Sequence, residues 1–315
     1  MGEAQEVTVG EIRLAYQVNG ACGAAPMLLL HALGEQASSW APVTGRFAER
    51  YRVFALDMRG HGNSDWPGSY SFQLMRDDVI AAIERLALHR VILIGHSMGG
   101  GVAYLVAIAR PDLLGRLVVE DVPPPYPRDR PIPERPDGLL DFDWPVVQAI
   151  VSQVNKGDSE TWDSLATITA PTLVIGGGPQ SHIPQDRLKE VADRIPACDL
   201  VTIPAGHNVH SAADGVRQHR ACMARRLIRY GRRRRGGRHQ HGGHDRHGRH
   251  CLWPPWRGTG RPGAHRPLAD RGVRAAGDRR VRSQPPPRSA QAARPRPMGS
   301  STISQAAELG YPHPA

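Results

Sequence analysis

Short apolar runs alternate with amphipathic segments over the first 214 residues of the chain. The unbroken apolar run at 27–31 is typical of a central strand that is buried on both faces, whereas charged residues between apolar positions give 72–87 the period of an amphipathic helix. The pattern predicts strands at 12–18, 27–31, 52–56, 91–94, 117–119, 171–175 and 200–203, and helices at 38–50 (N-cap Ser38 or Ser39), 72–87, 98–109 and 184–195. Repeated strand–helix–strand units predict an α/β fold with a mostly parallel central sheet flanked by helices.

This periodic pattern is interrupted after the strand at 117–119. Residues 123–136 are so rich in proline that they exclude a regular helix or strand. Only weak helical periodicity returns at 146–154, which is too little for a separate domain. We therefore expect a core in two parts, 1–122 and 169–214, with a short proline-rich insertion at 123–168 between them.

The charge of the chain changes sign near residue 214. The whole chain carries a formal net charge of +10, yet residues 1–214 hold 17 basic and 26 acidic side chains. Residues 215–315 hold 23 arginines and 4 acids, with no helical or strand periodicity. Such a segment cannot bury enough apolar surface to offset its ordering entropy, so we expect a disordered basic tail.

Three interpretations of this tail are open. Its clustered arginines could bind nucleic acid or another anion through phosphate contacts. The histidines of 239–250 could bind a metal, although their spacing is irregular and no CxxC framework accompanies them. We favour a third interpretation, an out-of-frame translation, because the tail begins abruptly and has the Arg, Gly, Pro, His and Ala content of a GC-rich coding sequence read in a wrong frame.

Composition excludes several other classes of protein. No apolar run approaches the roughly 20 residues of a membrane-spanning helix, so we expect no membrane partner. The N-terminus is acidic and lacks the apolar region of a secretory signal. The four cysteines are scattered without CxxC spacing, which is typical of free thiols in a reducing compartment. We expect a cytoplasmic protein.

The strongest chemical signal is the G-x-S-x-G motif at 95–99, which reads GHSMG. It follows a predicted strand and precedes a predicted helix, where a sharp turn would lift the Ser97 hydroxyl above the sheet. The helix N-terminus beside Ser97 favours developing negative charge. We predict that Ser97 is a nucleophile; the alternative is a glycine-rich turn with an idle serine.

A nucleophilic serine requires a base, and His207 follows the last predicted strand. It would lie at the carboxyl edge of the sheet, where sites in open α/β folds are found. An imidazole can accept the serine proton and return it to the leaving group because its pKa is near neutrality. His210 is the competing histidine, and we expect it to be solvated; we expect His96 to pack or bond locally.

These residues resemble the α/β-hydrolase family over roughly residues 10–212. The resemblance includes the run 30–34 (LHALG), the loop 57–64 (DMRGHGNS), the motif around Ser97 and the segment ending at His207. In that family two backbone N–H groups form an oxyanion hole, and the resemblance implies Met98 and Leu33 as the donors. Ala32 stands where the family usually has glycine. The loop 57–64 is expected to be structural, and 123–168 occupies the position of the family's cap.

The third member of a catalytic triad is less clear. The family usually places an aspartate after the strand at 171–175, but the loop 176–184 contains no carboxylate. Some relatives carry the acid after the preceding strand, where this chain has Glu120 and Asp121. Either could orient the Nδ1–H of His207 and stabilise the imidazolium; the alternative is that one of them caps a loop. Asp186, expected in the first turn of the next helix, is a more distant choice.

The resemblance implies a serine hydrolase that acts on a small ester or related acyl substrate through an acyl-enzyme intermediate. A serine nucleophile excludes the haloalkane dehalogenase and epoxide hydrolase branches, and leaves carboxylesterase, lactonase, C–C bond hydrolase and perhydrolase chemistry. No cofactor or metal is implied. Phe142, Trp144 and Trp162 either line an acyl pocket or bury the underside of the cap, and we favour burial. The alternative function is a catalytically impaired homologue whose basic tail binds nucleic acid or is out of frame.

Overall fold

The computed structural model describes residues 3–211, so the expected tail at 215–315 lies outside the described residues. Within residues 3–211 eight strands form one sheet, flanked by six α-helices. The strands are β1 (Glu3–Val9), β2 (Ile12–Asn19), β3 (Ala25–Leu30), β4 (Tyr51–Leu56), β5 (Val91–His96), β6 (Leu114–Glu120), β7 (Thr172–Gly176) and β8 (Cys198–Thr202). The helices are α1 (Ala41–Ala48), α2 (Phe72–Arg85), α3 (Met98–Ala109), α4 (Trp144–Lys156), α5 (Ser159–Ser164) and α6 (Gln185–Arg194).

The strands lie in the order β1-β2-β4-β3-β5-β6-β7-β8. The six strands β3 to β8 pair parallel with one another, whereas β2 pairs antiparallel with both β1 and β4. The predicted α/β class with a mostly parallel sheet is therefore confirmed. β1 was not predicted, although its buried residues Val7 and Val9 have the period of two that marks a half-buried strand.

Helices cover both faces of the sheet, which explains the unbroken apolar run in β3. Its residues alternate between two hydrophobic clusters. Leu28 and Leu30 pack with α2 and α3 on one face, whereas Met27 and Leu29 pack with α1 on the other. A strand buried on both sides needs an apolar residue at every position, since successive side chains point to opposite faces.

The helix predicted at 38–50 begins later than expected. Residues 37–40 form a 3₁₀ turn and α1 starts at Ala41, so neither Ser38 nor Ser39 is its N-cap. Pro42 occupies the first turn, where its missing N–H costs no hydrogen bond and its fixed φ suits a helix start. The predicted start of the helix was wrong because Ser38 and Ser39 are typical capping residues, whereas Pro42 marks the actual first turn.

The insertion contains an extended proline-rich segment followed by α4 and α5. Residues 123–136 form no helix or strand, as their proline content predicts. α4 is longer than the weak signal at 146–154 suggested, and buries Val146, Val147 and Ile150 against the core. α5 was not anticipated. The extended segment and α4 lie beside the carboxyl ends of the strands, because residues from both share a cavity with Ser97.

Candidate active site

Ser97 occupies the sharp turn between β5 and α3. Its backbone has φ 51° and ψ −117°, a conformation that residues other than glycine rarely adopt and that is typical of functional sites. The turn is possible only because the neighbouring residues are small. A Cβ on Gly95 would lie 2.3 Å from the carbonyl oxygen of Gly99, and one on Gly99 would lie 2.4 Å from that of Leu30. The motif therefore has the strand–turn–helix context that the sequence predicts.

The two predicted oxyanion donors border the same cavity as Ser97. Met98 is the first residue of α3, so its N–H has no acceptor within the helix. Leu33 lies in the loop after β3 and lines the cavity together with Ser97 and Met98. This loop is fixed to α3, since the Gly99 N–H donates a 3.1 Å hydrogen bond to the carbonyl of His31. Ala32 adopts no positive φ, so this position does not require a glycine.

The loop 57–64 supports the loop that carries Leu33. The Gly34 N–H donates to His61 Nε2 at 3.2 Å, and the Met58 N–H donates to His31 Nε2 at 3.0 Å. Each of these buried rings also hydrogen bonds through Nδ1 to a backbone carbonyl, which fixes its neutral tautomer. Burial is the main reason that the pKa values of His31 and His61 are lowered, to about 3 for His61. Both histidines therefore brace the backbone as neutral rings.

Asp121, at the end of β6, is brought against His207, which follows β8. His207 Nδ1 lies 2.8 Å from Asp121 Oδ2. The carboxylate also accepts hydrogen bonds from the Gly177 N–H at 2.7 Å, from Gln185 Nε2 at 3.2 Å and from the Ser181 hydroxyl. The loop after β7, which lacks a carboxylate of its own, thus supplies donors to the carboxylate of the preceding strand.

These hydrogen bonds determine the charge state of the pair. Burial alone would raise the pKa of Asp121, but the hydrogen bonds from His207, Ser181 and Gly177 outweigh it and leave the pKa below its ordinary value. Burial lowers the pKa of His207, the hydrogen bond to Asp121 raises it, and the nearby charge of His96 lowers it again, so the net pKa is also below its ordinary value. At neutral pH the pair is a carboxylate beside a neutral imidazole.

Glu120, the other predicted carboxylate, contacts a different histidine. Its Oε2 lies 2.7 Å from His210 Nδ1, and both side chains are buried. The His210 ring stacks on Trp40 with a centroid distance of 4.0 Å. The expectation that His210 is solvated is therefore wrong, because its ring fills the core below the site. Asp186 lies in the exposed first turn of α6, and the structure does not bring it to His207.

His96 and Glu35 form a buried pair behind the turn at Ser97. His96 Nε2 lies 3.0 Å from the carbonyl oxygen of His207, so it is a donor, and His96 Nδ1 lies 3.9 Å from Glu35 Oε2. Burial would lower the pKa of His96, but the Glu35 carboxylate outweighs burial and raises it. Burial conversely would raise the pKa of Glu35, and His96 lowers it to about 2. His96 thus bonds locally, as expected, and holds the backbone of His207.

Glu35, His96 and His210 are also the described residues that could hold a metal ion. Their ligand-type atoms lie within 4.8 Å of one another. One ring nitrogen of each histidine already has a hydrogen-bond partner. His96 Nε2 bonds the His207 carbonyl, and His210 Nδ1 bonds Glu120.

His182, in the loop after β7, is a residue of the candidate site that was not predicted. Its ring centroid is 4.3 Å from that of His207, and it lines the cavity beside Ser97. Burial, followed by the charges of His207 and Arg130, lowers the pKa of His182 to about 3. The ring is therefore neutral. Its place after a parallel strand at the carboxyl edge of the sheet was the available signal.

The cavity in front of Ser97 is mostly apolar and open to solvent, with a volume of about 740 Å³ that includes part of this solvent. Its walls come from α2, α3, α4 and the extended segment of the insertion; the apolar wall residues include Phe72, Val122, Val147, Ile150, Val151 and Ile183. Phe142 and Trp162 are buried in the core instead, and the Trp162 indole donates to the carbonyl of Pro125 at 3.0 Å. These two aromatic residues pack the insertion onto the core.

No helix among residues 3–211 is both long enough and apolar enough to cross a membrane.

Comparison with known proteins identifies the family. Residues 27–219, well over half of the chain, match the model of the alpha/beta hydrolase family. The chain therefore belongs to this family of hydrolases.

Individual relatives are more distant. A putative esterase/lipase of Haemophilus influenzae is 28% identical over 236 residues, which cover 62% of this chain and 81% of that protein. Epoxide hydrolase 4 of Mus musculus is 37% identical over 117 residues, which cover 36% of this chain and only 33% of that protein. The crystal structure of a hydrolase from Pseudomonas aeruginosa PA01 superposes with a TM-score of 0.62 at 22% identity, covering 73% of this chain and 99% of that one. This structural likeness shows the shared fold.

Proposed function

We propose that the chain is a serine hydrolase that cleaves a small ester or related acyl substrate through an acyl-enzyme intermediate. The observation that carries this proposal is the hydrogen bond between Asp121 and His207 at the edge of the sheet where Ser97 occupies a strained turn. A nucleophile on such a turn, with a base that a buried carboxylate orients, is the arrangement that acyl transfer requires.

Each residue has one role in this mechanism. Because the Asp121 carboxylate can only accept a hydrogen bond, His207 carries its proton on Nδ1, and Nε2, which carries the lone pair, acts as the base. His207 takes the Ser97 proton as Oγ attacks the carbonyl carbon, and then protonates the leaving group as the carbon–heteroatom bond breaks. In the second half, His207 takes a proton from water as the water oxygen attacks the acyl-Ser97 ester. It then returns this proton to Ser97 Oγ as the bond between Oγ and the acyl carbon breaks.

The oxyanion of each tetrahedral intermediate would be stabilised by the N–H groups of Met98 and Leu33. Removal of one such donor from a serine hydrolase typically costs about 10²–10³ in kcat. Asp121 is the acid of the triad in this account, and Glu120 supports the packing of His210. No step requires a cofactor or a metal. We also propose a cytoplasmic location.

The reaction class follows from the nucleophile. The chain resembles both a putative esterase/lipase and an epoxide hydrolase. Epoxide hydrolases of this family use an aspartate where this chain has Ser97, which favours acyl chemistry. Carboxylesterase, lactonase, C–C bond hydrolase and perhydrolase reactions all use this machinery, and the shape of the cap selects among them.

The test is hydrolysis of 4-nitrophenyl esters of increasing acyl length by the full chain, beside Ser97→Ala. We expect the wild type to hydrolyse at least one of these esters. Ser97→Ala should reduce this turnover by a factor of about 10⁴ or more, as the removal of a triad member does. Wild-type turnover that survives in Ser97→Ala, or a folded wild type without turnover on any ester, would refute the proposal. The second result would favour the catalytically impaired homologue.

A further inference from the structure

An extended strap in the insertion, residues 127–131, directs two arginines toward the site. Exposure alternates along it. Pro127, Asp129 and Pro131 are exposed, whereas Arg128 and Arg130 are half-buried. Successive residues of an extended segment point to opposite sides, so Arg128 and Arg130 share the inner side of the strap and Asp129 lies on the outer side. The Arg128 guanidinium lies over the Tyr126 ring, 4.9 Å from its centroid.

The backbone of the strap is fixed to α4 through a single residue, Asn155. The Arg128 N–H donates to the Asn155 carbonyl at 3.1 Å, and the Arg130 N–H donates to Asn155 Oδ1 at 3.1 Å. Asn155 Nδ2 in turn donates to the Arg130 carbonyl at 2.7 Å. Three hydrogen bonds thus set the register in which both arginines, and not their neighbours, face inward.

The inner side of the strap is the wall of the cavity that contains Ser97. Arg128 and Arg130 line this cavity together with Ser97 and His182. The pKa of His182 is lowered in part by the charges of both arginines, so their field reaches the ring that lies against His207. None of the described residues that line the cavity is an aspartate or a glutamate. The remaining walls are mainly apolar.

We propose that Arg128 and Arg130 bind a terminal carboxylate on the acyl group of the substrate, so that this enzyme prefers anionic acyl esters. The inference rests on the proposed function and names its substrate class. Guanidinium groups match a carboxylate through paired N–H donors, and the apolar walls between the strap and Ser97 suit a hydrocarbon chain. A neutral acyl ester would reach Ser97 without making this contact.

The test compares matched pairs of 4-nitrophenyl esters that differ only at the far end of the acyl chain. One member is the monoester of a dicarboxylic acid, from adipic acid upward in length, and the other carries an ethyl group in place of the carboxylate. We expect the wild type to have a higher kcat/KM for the anionic member at one or more chain lengths. In Arg128→Gln/Arg130→Gln the ratio of the two kcat/KM values should fall by roughly 10- to 100-fold, the effect of losing charge-assisted hydrogen bonds, because the anionic member loses more than the neutral one.

Arg135→Gln is the matched control. Arg135 belongs to the same insertion and is exposed, and its guanidinium bonds the carbonyls of Pro136 and Gly138. The Arg135→Gln substitution removes one positive charge outside the cavity, so it should leave the preference for the anionic ester unchanged.

The outcomes separate this inference from the proposed function. Turnover of neutral esters that depends on Ser97, without any preference for the anionic members or with a preference that survives the double variant, would overturn only the substrate class. Absence of turnover dependent on Ser97 would overturn both.

Discussion

The Asp121 carboxylate lies 2.8 Å from Nδ1 of His207, although 86 residues separate the two along the chain. The contact exists because β6, β7 and β8 are parallel neighbours, so that the residues after β6 and after β8 reach the same edge of the sheet. The loop after β7 lies between them and gives its N–H and hydroxyl groups to the same carboxylate. For this reason the proposed mechanism gives the role of the triad acid to Asp121 and not to Glu120.

Asp121→Asn should therefore reduce kcat steeply while the protein remains folded. The amide cannot stabilise an imidazolium and would favour the wrong tautomer of His207, a change that costs about 10⁴ in rate in a serine protease. Steady-state kinetics on the best 4-nitrophenyl ester, with a melting curve for each protein, measures both effects.

Glu120→Gln is the matched control for this variant, since it alters the adjacent carboxylate. We expect kcat to stay within a few fold of the wild type. The melting temperature should fall instead, because the buried contact with His210 loses a charge-assisted hydrogen bond worth roughly 1.5–3 kcal/mol. The reverse pattern, with activity lost in Glu120→Gln and kept in Asp121→Asn, would show that the wrong acid has been assigned.

The pH dependence of kcat/KM should report the pKa of His207. Only the neutral ring can accept the serine proton, so activity is present above this pKa and is lost as the pH falls through it. Burial, opposed by Asp121 and reinforced by His96, holds the pKa below the ordinary 6.5. We expect the acid limb of the profile to have its midpoint below that value. A midpoint above it would mean that His207 is not the base or is far more solvated than the structure shows.

Gly95→Ala should destabilise the protein strongly. The added Cβ would lie 2.3 Å from the carbonyl oxygen of Gly99, and backbone atoms at the turn cannot move aside without shifting α3. We expect a loss of about 2 kcal/mol or more in the free energy of unfolding, measured by urea denaturation.

Gly45→Ala provides the comparison for Gly95→Ala. Gly45 lies in the exposed part of α1, and a Cβ there meets nothing within 4 Å. Alanine should stabilise the helix by up to roughly 1 kcal/mol. Equal unfolding free energies for the two variants would contradict the close approach at the Ser97 turn.

Local pattern was sufficient to predict most of the fold. The buried run of β3 and the small-residue helix α3 follow from periodicity and from the G-x-S-x-G motif, and α3 has the predicted bounds. β1 was missed because only Val7 and Val9 signal it, and the start of α1 was misplaced because capping serines compete with Pro42.

The site was predictable only as far as its motifs extend. Glu120 and Asp121 are adjacent in sequence, and side chains of successive residues near a strand end point in different directions. Which one meets His207 is decided by the tertiary placement of the loop that ends at His207. Arg128 and Arg130 were not predicted for a similar reason. The sequence does not show which residues of the strap face inward, because this depends on the hydrogen bonds to Asn155.

The most direct test of the central claim is labelling of the full chain with a fluorophosphonate probe, with Ser97→Ala beside it. The probe reacts with a serine that a neighbouring base activates, and needs no knowledge of the substrate. We predict stoichiometric labelling of the wild type that disappears in Ser97→Ala and is strongly slowed in Asp121→Asn. A folded wild type that takes up no label, or a label that persists in Ser97→Ala, would contradict the assignment of Ser97 as the nucleophile.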